Sequence, residues 1–406
     1  MSNTFCPLLF QHLATHPYGG VTHCCISDHR NQASNAYNYD ATTDHRTVLN
    51  VNNDSLLDIY NSDSFKTARL QSLNGEIPPA CSRCFTEEKA GLRSKRLEEI
   101  ENYPNFDIVQ AQAITDDLGI IADPQFEFVE LRLGNTCNVA CRTCNPASSS
   151  KWKRDYDQLE KRVNFDVTKY TGLTGFRWPE REKFWDQLFD RCHNVKTFYI
   201  NGGEPMLIKQ HFKFLRRLVE AGRTDIKLWY NINMTTMNEE ALELWANFEK
   251  VHVSMSIDDL GERNEYIRHP TDWETVLRNV TILQENDWID IDITQTVSFM
   301  NYPNIVEFYE FFTVEMDIPI HHNVVYDPSY LSPRVLPRTL VERTWTKLEG
   351  CTTLRPNNML KLKEAPGVEQ DITGWKRAMN YTKQLDRIRD QHITFSLPEF
   401  TGYFKS

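Results

Sequence analysis

The sequence holds no run of about 18 apolar residues, so no membrane-spanning helix is expected from it. It also lacks an excess of positive charge. Against 56 acidic residues stand 45 Lys and Arg, a formal net charge of −11. That balance argues against a general nucleic-acid binder, which needs a basic face. The opening residues, MSNTFCPLLFQHLATHPYGG, show no basic stretch followed by an apolar one. No secretory signal is therefore expected, and a cytoplasmic setting is. Internal repeats and low-complexity tracts are absent too. What remains is globular composition: 40% hydrophobic, 25% charged and 12% aromatic residues, with 9 Trp and 22 Phe, which excludes a disordered chain. A length of 406 residues suggests two or three domains at roughly 100–200 residues each. Ten cysteines are present. In a reducing compartment they are candidates for metal ligands or buried thiols rather than a disulfide framework, and their spacing decides.

Residues 1–120 are rich in Asn, Asp, Ser and Thr and poor in strand patterns. Helices are expected there from Ser64 to Leu73 and from Glu87 to Glu98. From about Gln125 the pattern becomes an alternation. Runs suited to strands occur at Phe126–Leu133, Val195–Ile200, Ile226–Ile232, Val251–Ile257, Ile289–Val297 and Ile318–Val325. Helical periodicity falls between them, as at Phe184/Leu188, at Leu207, Phe214, Leu215 and Leu218 before Gly222, and over Asn238–Phe248, Trp273–Leu283 and Pro303–Phe312. Six such repeats imply parallel βαβ units and a sheet curling toward a barrel, with chemistry at the C-terminal strand ends. The stretch 331–406 shows helical patches and no usable motif.

The first of these strands runs directly into TCNVACRTCNP, where Cys137, Cys141 and Cys144 form a C-x3-C-x2-C loop. Three thiolates on one short loop can bind three irons of a cubane and leave the fourth open to a chelating small molecule. The plainer readings are a zinc site or three structural thiols. Zinc sites usually come as pairs of C-x2-C with a fourth ligand close, and no fourth Cys or His follows within this loop.

The loop resembles the signature of the radical S-adenosylmethionine (SAM) superfamily, and the resemblance continues at later strand ends. Gly202-Gly203-Glu204-Pro205, after the second strand, is similar to the family's GGEP motif, which binds the methionine amino group of SAM. Two glycines let backbone approach a ligand closely, and Glu204 can accept charge-assisted hydrogen bonds from an ammonium. SMSIDDLGERNEYIR, after the fourth strand, is similar to the segment that approaches the ribose and carboxylate of SAM. The resemblance places Ser256 and Asp258 in those roles and makes Arg268 a candidate carboxylate clamp. A solvated turn and helix cap is the plain alternative for Asp258 and Asp259. Asn233, after the third strand, is either a ribose contact or a turn residue. The sequence departs from many members at Thr143, where an aromatic residue commonly precedes the third cysteine.

Nearer the N-terminus, Cys6, Gly19 and Cys24 are followed by Cys81 and Cys84 in a C-x2-C hook. This pattern, with NSDSFKTARLQSLNGEIPPACSRCFTEEKAGLRSKR, resembles the twitch or SPASM auxiliary-cluster regions of radical SAM enzymes. It implies a second iron–sulfur cluster on Cys6, Cys24, Cys81 and Cys84. Cys25 adjoins Cys24, and either could be the ligand; the Gly19-x4-Cys24 spacing favours Cys24. A structural zinc, with His23 as a spare ligand, stays open. Cys192 and Cys351 read as buried small hydrophobes. His321 and His322 are read as structural.

The expected architecture is α/β: a partial (β/α)6 TIM-like barrel of the radical SAM type at 121–330, a small cysteine-rich twitch-like region at 1–120 and a C-terminal extension at 331–406. The resemblance implies reductive cleavage of SAM at a 4Fe-4S cluster, giving a 5′-deoxyadenosyl radical that abstracts hydrogen from a substrate of the peptide or protein class. It also implies an external electron donor such as flavodoxin or ferredoxin; hydropathy and charge lead to the expectation of neither membrane nor nucleic acid as partner. A non-catalytic iron–sulfur or zinc-binding protein of the same fold is the alternative, disfavoured because an electron carrier has no need of a SAM-binding set.

Overall fold

The computed structural model describes residues 4–27, 35–163 and 174–404. The fold is mixed α/β with a mostly parallel eight-stranded sheet. The chain divides into two compact units: Met1–Asn135, Thr174–Trp229 and Leu242–Lys250 form one, and Thr136–Leu173, Tyr230–Ala241 and Val251–Ser406 the other. Among the described residues no helix is long and apolar enough to cross a membrane.

The first unit holds β1 (His12–Thr15), β2 (Val21–Thr22), β3 (Tyr37–Asp40), β4 (His45–Val48), β5 (Phe128–Arg132) and β6 (Thr197–Asn201). Strands β1 and β6 both run parallel to β5, with Phe128 opposite His12 on one side and Thr197 on the other. β2 returns antiparallel to β1, and β3 and β4 form a separate antiparallel ribbon. The sequence reading missed β1 because all four of its residues are buried. A strand covered on both faces shows no alternation to detect.

The helix Asp63–Leu73 forms as expected. Its Arg69 is fully buried and donates to the carbonyls of Leu9, Tyr60 and Gly119 at 3.0, 2.6 and 3.0 Å. One guanidinium thereby ties two short helices and a loop to this helix. The expected helix over Glu87–Glu98 is instead two helices, Ser82–Lys89 and Lys95–Asn102. Gly91 at φ +75° ends the first, and the Ser94 hydroxyl caps the second by accepting from Leu97 N–H. The helix Lys209–Glu220 buries Phe212, Phe214, Leu215 and Leu218, and Gly222 follows at φ +70°. Those apolar side chains recur at helical spacing, which makes one face cohesive and leaves the lysines and arginines outside.

β7 (Lys227–Ile232) carries the chain into the second unit, which holds β8 (Lys250–Met255), β9 (Ile289–Val297) and β10 (Ile320–Val324). β8 and β10 both pair parallel to β9. Strands β5 to β10 are the six expected ones, each within a few residues of its sequence pattern. On β8 to β10 the side chains alternate in character. Val251, Val253, Met255, Ile293 and Val297 are buried on one face, while the other face carries His252, Ser254, Asp292, Thr294, Thr296, His321 and Asn323. The expected helix over Pro303–Phe312 begins as a tight turn at Tyr302–Asn304, becomes α-helical over Ile305–Glu310 and widens to π geometry at Phe311–Glu315. The C-terminal stretch forms helices at Arg338–Gly350, Pro356–Glu364 and Ile372–Arg389. Cys192 and Cys351 are buried, as their isolation suggested.

Burial pushes the imidazoles of His211 and His322 down to about 4 from the ordinary 6.5. An unfolded chain takes up these protons near 6.5, and the folded chain holds out to about 4, so acid favours unfolding in that window. Stability is expected to fall as pH drops from about 6.5 to 4, by about 1.4 kcal/mol per pH unit for each group. Denaturant unfolding of His211→Gln across that range should show the slope reduced by one such share. An unchanged slope would contradict this account of His211.

Candidate functional site

The loop 137–144 leaves β5 and packs inside the second unit. The Cys144 N–H donates to the Cys141 carbonyl at 2.9 Å, closing the turn that carries two of the thiols. Burial pushes the thiol of Cys141 up to about 11 and that of Cys144 to about 12. Mutual repulsion between the thiols adds to the rise in both, while the nearby Arg268 guanidinium works against it. Such a donor set is costly to ionise alone. It fits a bound cationic centre that would take up the thiolate charge.

Around it stand residues expected at the strand ends. Asn233 is buried. Its amide donates to Asn138 Oδ1 at 2.9 Å and lies 3.9 Å from Cys137 Sγ, while its oxygen accepts from Thr235. The structure thus places Asn233 against the cysteine loop. Met234 beside it is held at φ +61°, a conformation L-residues rarely adopt, with its carbonyl fixed by Asn279 Nδ2 at 2.8 Å. Ser256 follows β8, half-buried, its N–H donating to the Ile232 carbonyl.

Asp258 and Asp259 are fully buried, not a solvated turn. Asp258 accepts from Thr296 N–H at 2.8 Å and from Arg268 Nη1 at 3.0 Å, so both its oxygens are engaged. Asp259 pairs with Arg263 at 2.8 Å. Arg268 therefore meets a carboxylate of this chain and faces the cysteines.

In the first unit, β6 is followed by Gly202 and Gly203 at φ +82° and +54°. A Cβ on Gly202 would lie 2.7 Å from the Cα of Arg132, so only glycine fits this turn. Glu204 is buried and accepts from Met206 N–H, capping the short turn Pro205–Leu207. The motif is thus a built turn that brings bare backbone to the end of β6.

Sequence reasoning missed Arg142, Tyr266 and the residues of the C-terminal stretch that meet them. Arg142, between the second and third cysteines, is fully buried and donates to Asp386 at 2.6 Å, to Gln391 at 2.8 Å and to the Tyr266 carbonyl at 2.9 Å. Its guanidinium lies 3.6 Å from the centre of the Tyr266 ring, whose hydroxyl also donates to Asp386. Tyr381 donates to the Arg142 carbonyl at 3.0 Å, and Arg389 to the Ala140 carbonyl at 2.8 Å. Polar residues at irregular spacing on a helix give no sequence signal for such contacts.

The N-terminal cysteines gather in the first unit. Cys6, Cys24, Cys81 and Cys84 line one pocket, with Lys95 and Arg96 on its wall. The side chains stand around the pocket instead of meeting at one point, and among the described residues no three His, Cys, Asp or Glu converge on a single ion. Burial and the neighbouring thiols raise Cys6 and push Cys81 up to about 12, and Arg96 opposes both. Cys25 is not part of that wall; its thiol is raised by a hydrogen bond to Cys24 and by burial. Of these two adjacent thiols, Cys24 is the one that lines the pocket. Four thiols with two cations beside them form a donor set that fits an iron–sulfur cluster.

A family model described as the radical SAM superfamily matches residues 131–312, and another, described as an iron–sulfur cluster-binding domain and named SPASM, matches residues 6–85. The chain thus carries a radical SAM domain. More particularly, it carries a SPASM region ahead of its radical SAM domain. These domains imply a 4Fe-4S cluster with SAM and an auxiliary iron–sulfur cluster. No curated protein matches the sequence. Similar solved structures include anSMEcpe with bound AdoMet, at 18% identity over 60% of this chain and 61% of that one, TM-score 0.39. Streptococcus suis SuiB shares 13% identity over 97% of this chain and 74% of that one, TM-score 0.35. SuiB bound to its precursor peptide SuiA shares 13% over 89% and 71%, TM-score 0.33. The chain spans about three fifths of the length of anSMEcpe.

Gly202→Ala should destabilise the protein more than Gly75→Ala. Gly75 is at φ +83° but has open space around it, so Ala there meets only the left-handed penalty of about 1–2 kcal/mol. At Gly202 the contact with Arg132 adds to that penalty. Equal losses in denaturant unfolding of the two variants would contradict the close approach.

Proposed function

We propose that this protein is a radical SAM enzyme that cleaves SAM reductively at a cluster held by Cys137, Cys141 and Cys144 and removes a hydrogen atom from a polypeptide substrate. The observation that carries the reading is one short loop that bears three thiols, Cys141 buried and Cys137 and Cys144 half-buried, with Arg268 beside it. When bound, the cluster and SAM supply one-electron reduction and hydrogen-atom abstraction. Gly202 and Gly203 open backbone to the methionine moiety, and Glu204 with Pro205 completes that turn. Ser256 faces the ribose end, and Asn233 steadies the first cysteine. Arg268 stabilises the thiolates, and Asp258 holds it in place. An external donor of the flavodoxin or ferredoxin kind delivers the electron, consistent with a cytoplasmic protein.

The polar face of β8 to β10 supports a substrate rich in hydrogen-bonding groups. His252, Asp292 and His321 lie together there, with His252 Nε2 2.5 Å and His321 Nε2 3.9 Å from Asp292 Oδ2. A polypeptide backbone presents such groups along its length. Cys6, Cys24, Cys81 and Cys84 hold the auxiliary cluster within an N-terminal region spanning about residues 1–120. The barrel core occupies about 121–330, and the remainder braces it.

Anaerobic reconstitution followed by iron, sulfide and zinc analysis tests the assignment. Two cubanes predict about eight irons per chain. The Cys137, Cys141, Cys144 triple-Ala variant should keep about four, as should Cys24→Ser, while Cys25→Ser keeps about eight. Eight irons in the triple variant would contradict the catalytic assignment; zinc without iron there would contradict the auxiliary one. Glu204→Ala should leave the iron content alone and weaken SAM binding about ten- to a hundredfold, the value of a lost charged hydrogen bond. Unchanged affinity in a titration would remove Glu204 from the site.

A further inference from the structure

Three arginines surround the cysteine loop, and each is matched by one aspartate. Arg142 pairs with Asp386 at 2.6 Å, Arg389 with Asp155 at 2.8 Å and Arg268 with Asp258 at 3.0 Å. The arginine side chains are 0%, 2% and 9% exposed, so little water screens them. Two of the pairs involve the helix Ile372–Arg389, which sequence motifs left without a role. That helix also reaches the loop backbone. Tyr381 and Arg389 lie two turns apart on one face, and they donate to the carbonyls of Arg142 and Ala140. Trp152, whose ring lies 4.7 Å from the Arg389 guanidinium, donates its Nε1–H to the Cys141 carbonyl at 3.0 Å, and the Ser149 hydroxyl donates to that of Val139 at 2.6 Å. Consecutive carbonyls from Val139 to Arg142 are thus each held by a named donor.

The turn after this helix completes the arrangement. Asp390 takes the left-handed conformation at φ +53° and reverses the chain, so that Gln391 returns to Arg142. Asp386 is used twice more, accepting from Tyr266 Oη at 2.8 Å and from Ile393 N–H at 2.9 Å. Its carboxylate joins the cysteine loop, the segment after β8 and the C-terminal turn.

We propose that Arg142 and Asp386 are positioning residues through which the C-terminal helix fixes the cysteine loop and sets the reduction potential of the cluster it holds. The proposal rests on the reading of Cys137, Cys141 and Cys144 as cluster ligands. Reduction adds negative charge to a buried cluster. A cation beside the loop favours that step, and an anion opposes it. Removing Asp386 leaves Arg142 uncompensated and raises the potential. Removing Arg142 leaves Asp386 uncompensated and lowers it. A purely mechanical brace would not separate the two in sign.

The test uses the full-length, anaerobically reconstituted protein. The potential is read from the electron paramagnetic resonance signal that responds to added SAM, which distinguishes this cluster from the auxiliary one. Asp386→Asn is expected to shift the potential upward and Arg142→Gln downward. Arg142→Lys, which keeps the charge, and the Arg142→Gln/Asp386→Asn double variant should return it toward the parent value. If a single variant fails to load the loop cluster, the double variant should regain the SAM-responsive signal. Shifts of the same sign, no shift with the cluster loaded, or a double variant no better than the singles would overturn the proposal. A parent protein with no SAM-responsive cluster would instead overturn the reading beneath it.

Discussion

Bringing several thiols together out of water makes each one harder to ionise, because burial and the neighbouring sulfurs both oppose the charge. That constraint governs both cysteine sites. At the loop from Cys137 to Cys144 it is met by Arg268, itself anchored on Asp258, and by a shell of matched Arg–Asp pairs. At the N-terminal pocket it is met by Lys95 and Arg96, carried on one short helix whose start is capped by Ser94. In each case the cations are held by carboxylates: Arg96 by Glu88 and Lys95 by Glu99. A buried charge left alone would cost several kcal/mol, so the pairs are a condition of placing thiolates there at all.

The same requirement explains why the elements around the loop are so polar in detail and yet so buried. Asp258 sits between Arg268 and the Thr296 N–H, with its own carbonyl accepting from Gln295 and Asn301. This network joins the end of β8 to β9 and fixes the strand-end segment that follows. Rigidity at that point holds side chains where a cofactor must meet them.

The six parallel strands were legible in the sequence because each is an apolar or β-branched run with a helical pattern after it, and the cysteine loop because its spacing follows a strand directly. The glycine pair at 202 and 203 was legible because positive φ and backbone contact leave glycine little competition. Other features had no local signature. β1 is buried on both faces, so alternation could not betray it. The break between Lys89 and Lys95 depends on one glycine inside a run of good helix formers. The part played by 372–391 depends on contacts across more than 200 residues of sequence, as between Arg142 and Asp386. Only a folded chain brings those residues together.

The central claim is that the thiols of the loop support reductive cleavage of SAM. The most direct measurement is 5′-deoxyadenosine formed when the reconstituted protein is incubated anaerobically with SAM and a strong one-electron reductant. The account predicts that the parent protein forms it and that Cys141→Ala, which removes one ligand from the loop, does not. No 5′-deoxyadenosine from a fully loaded parent, or equal amounts from both proteins, would contradict the account.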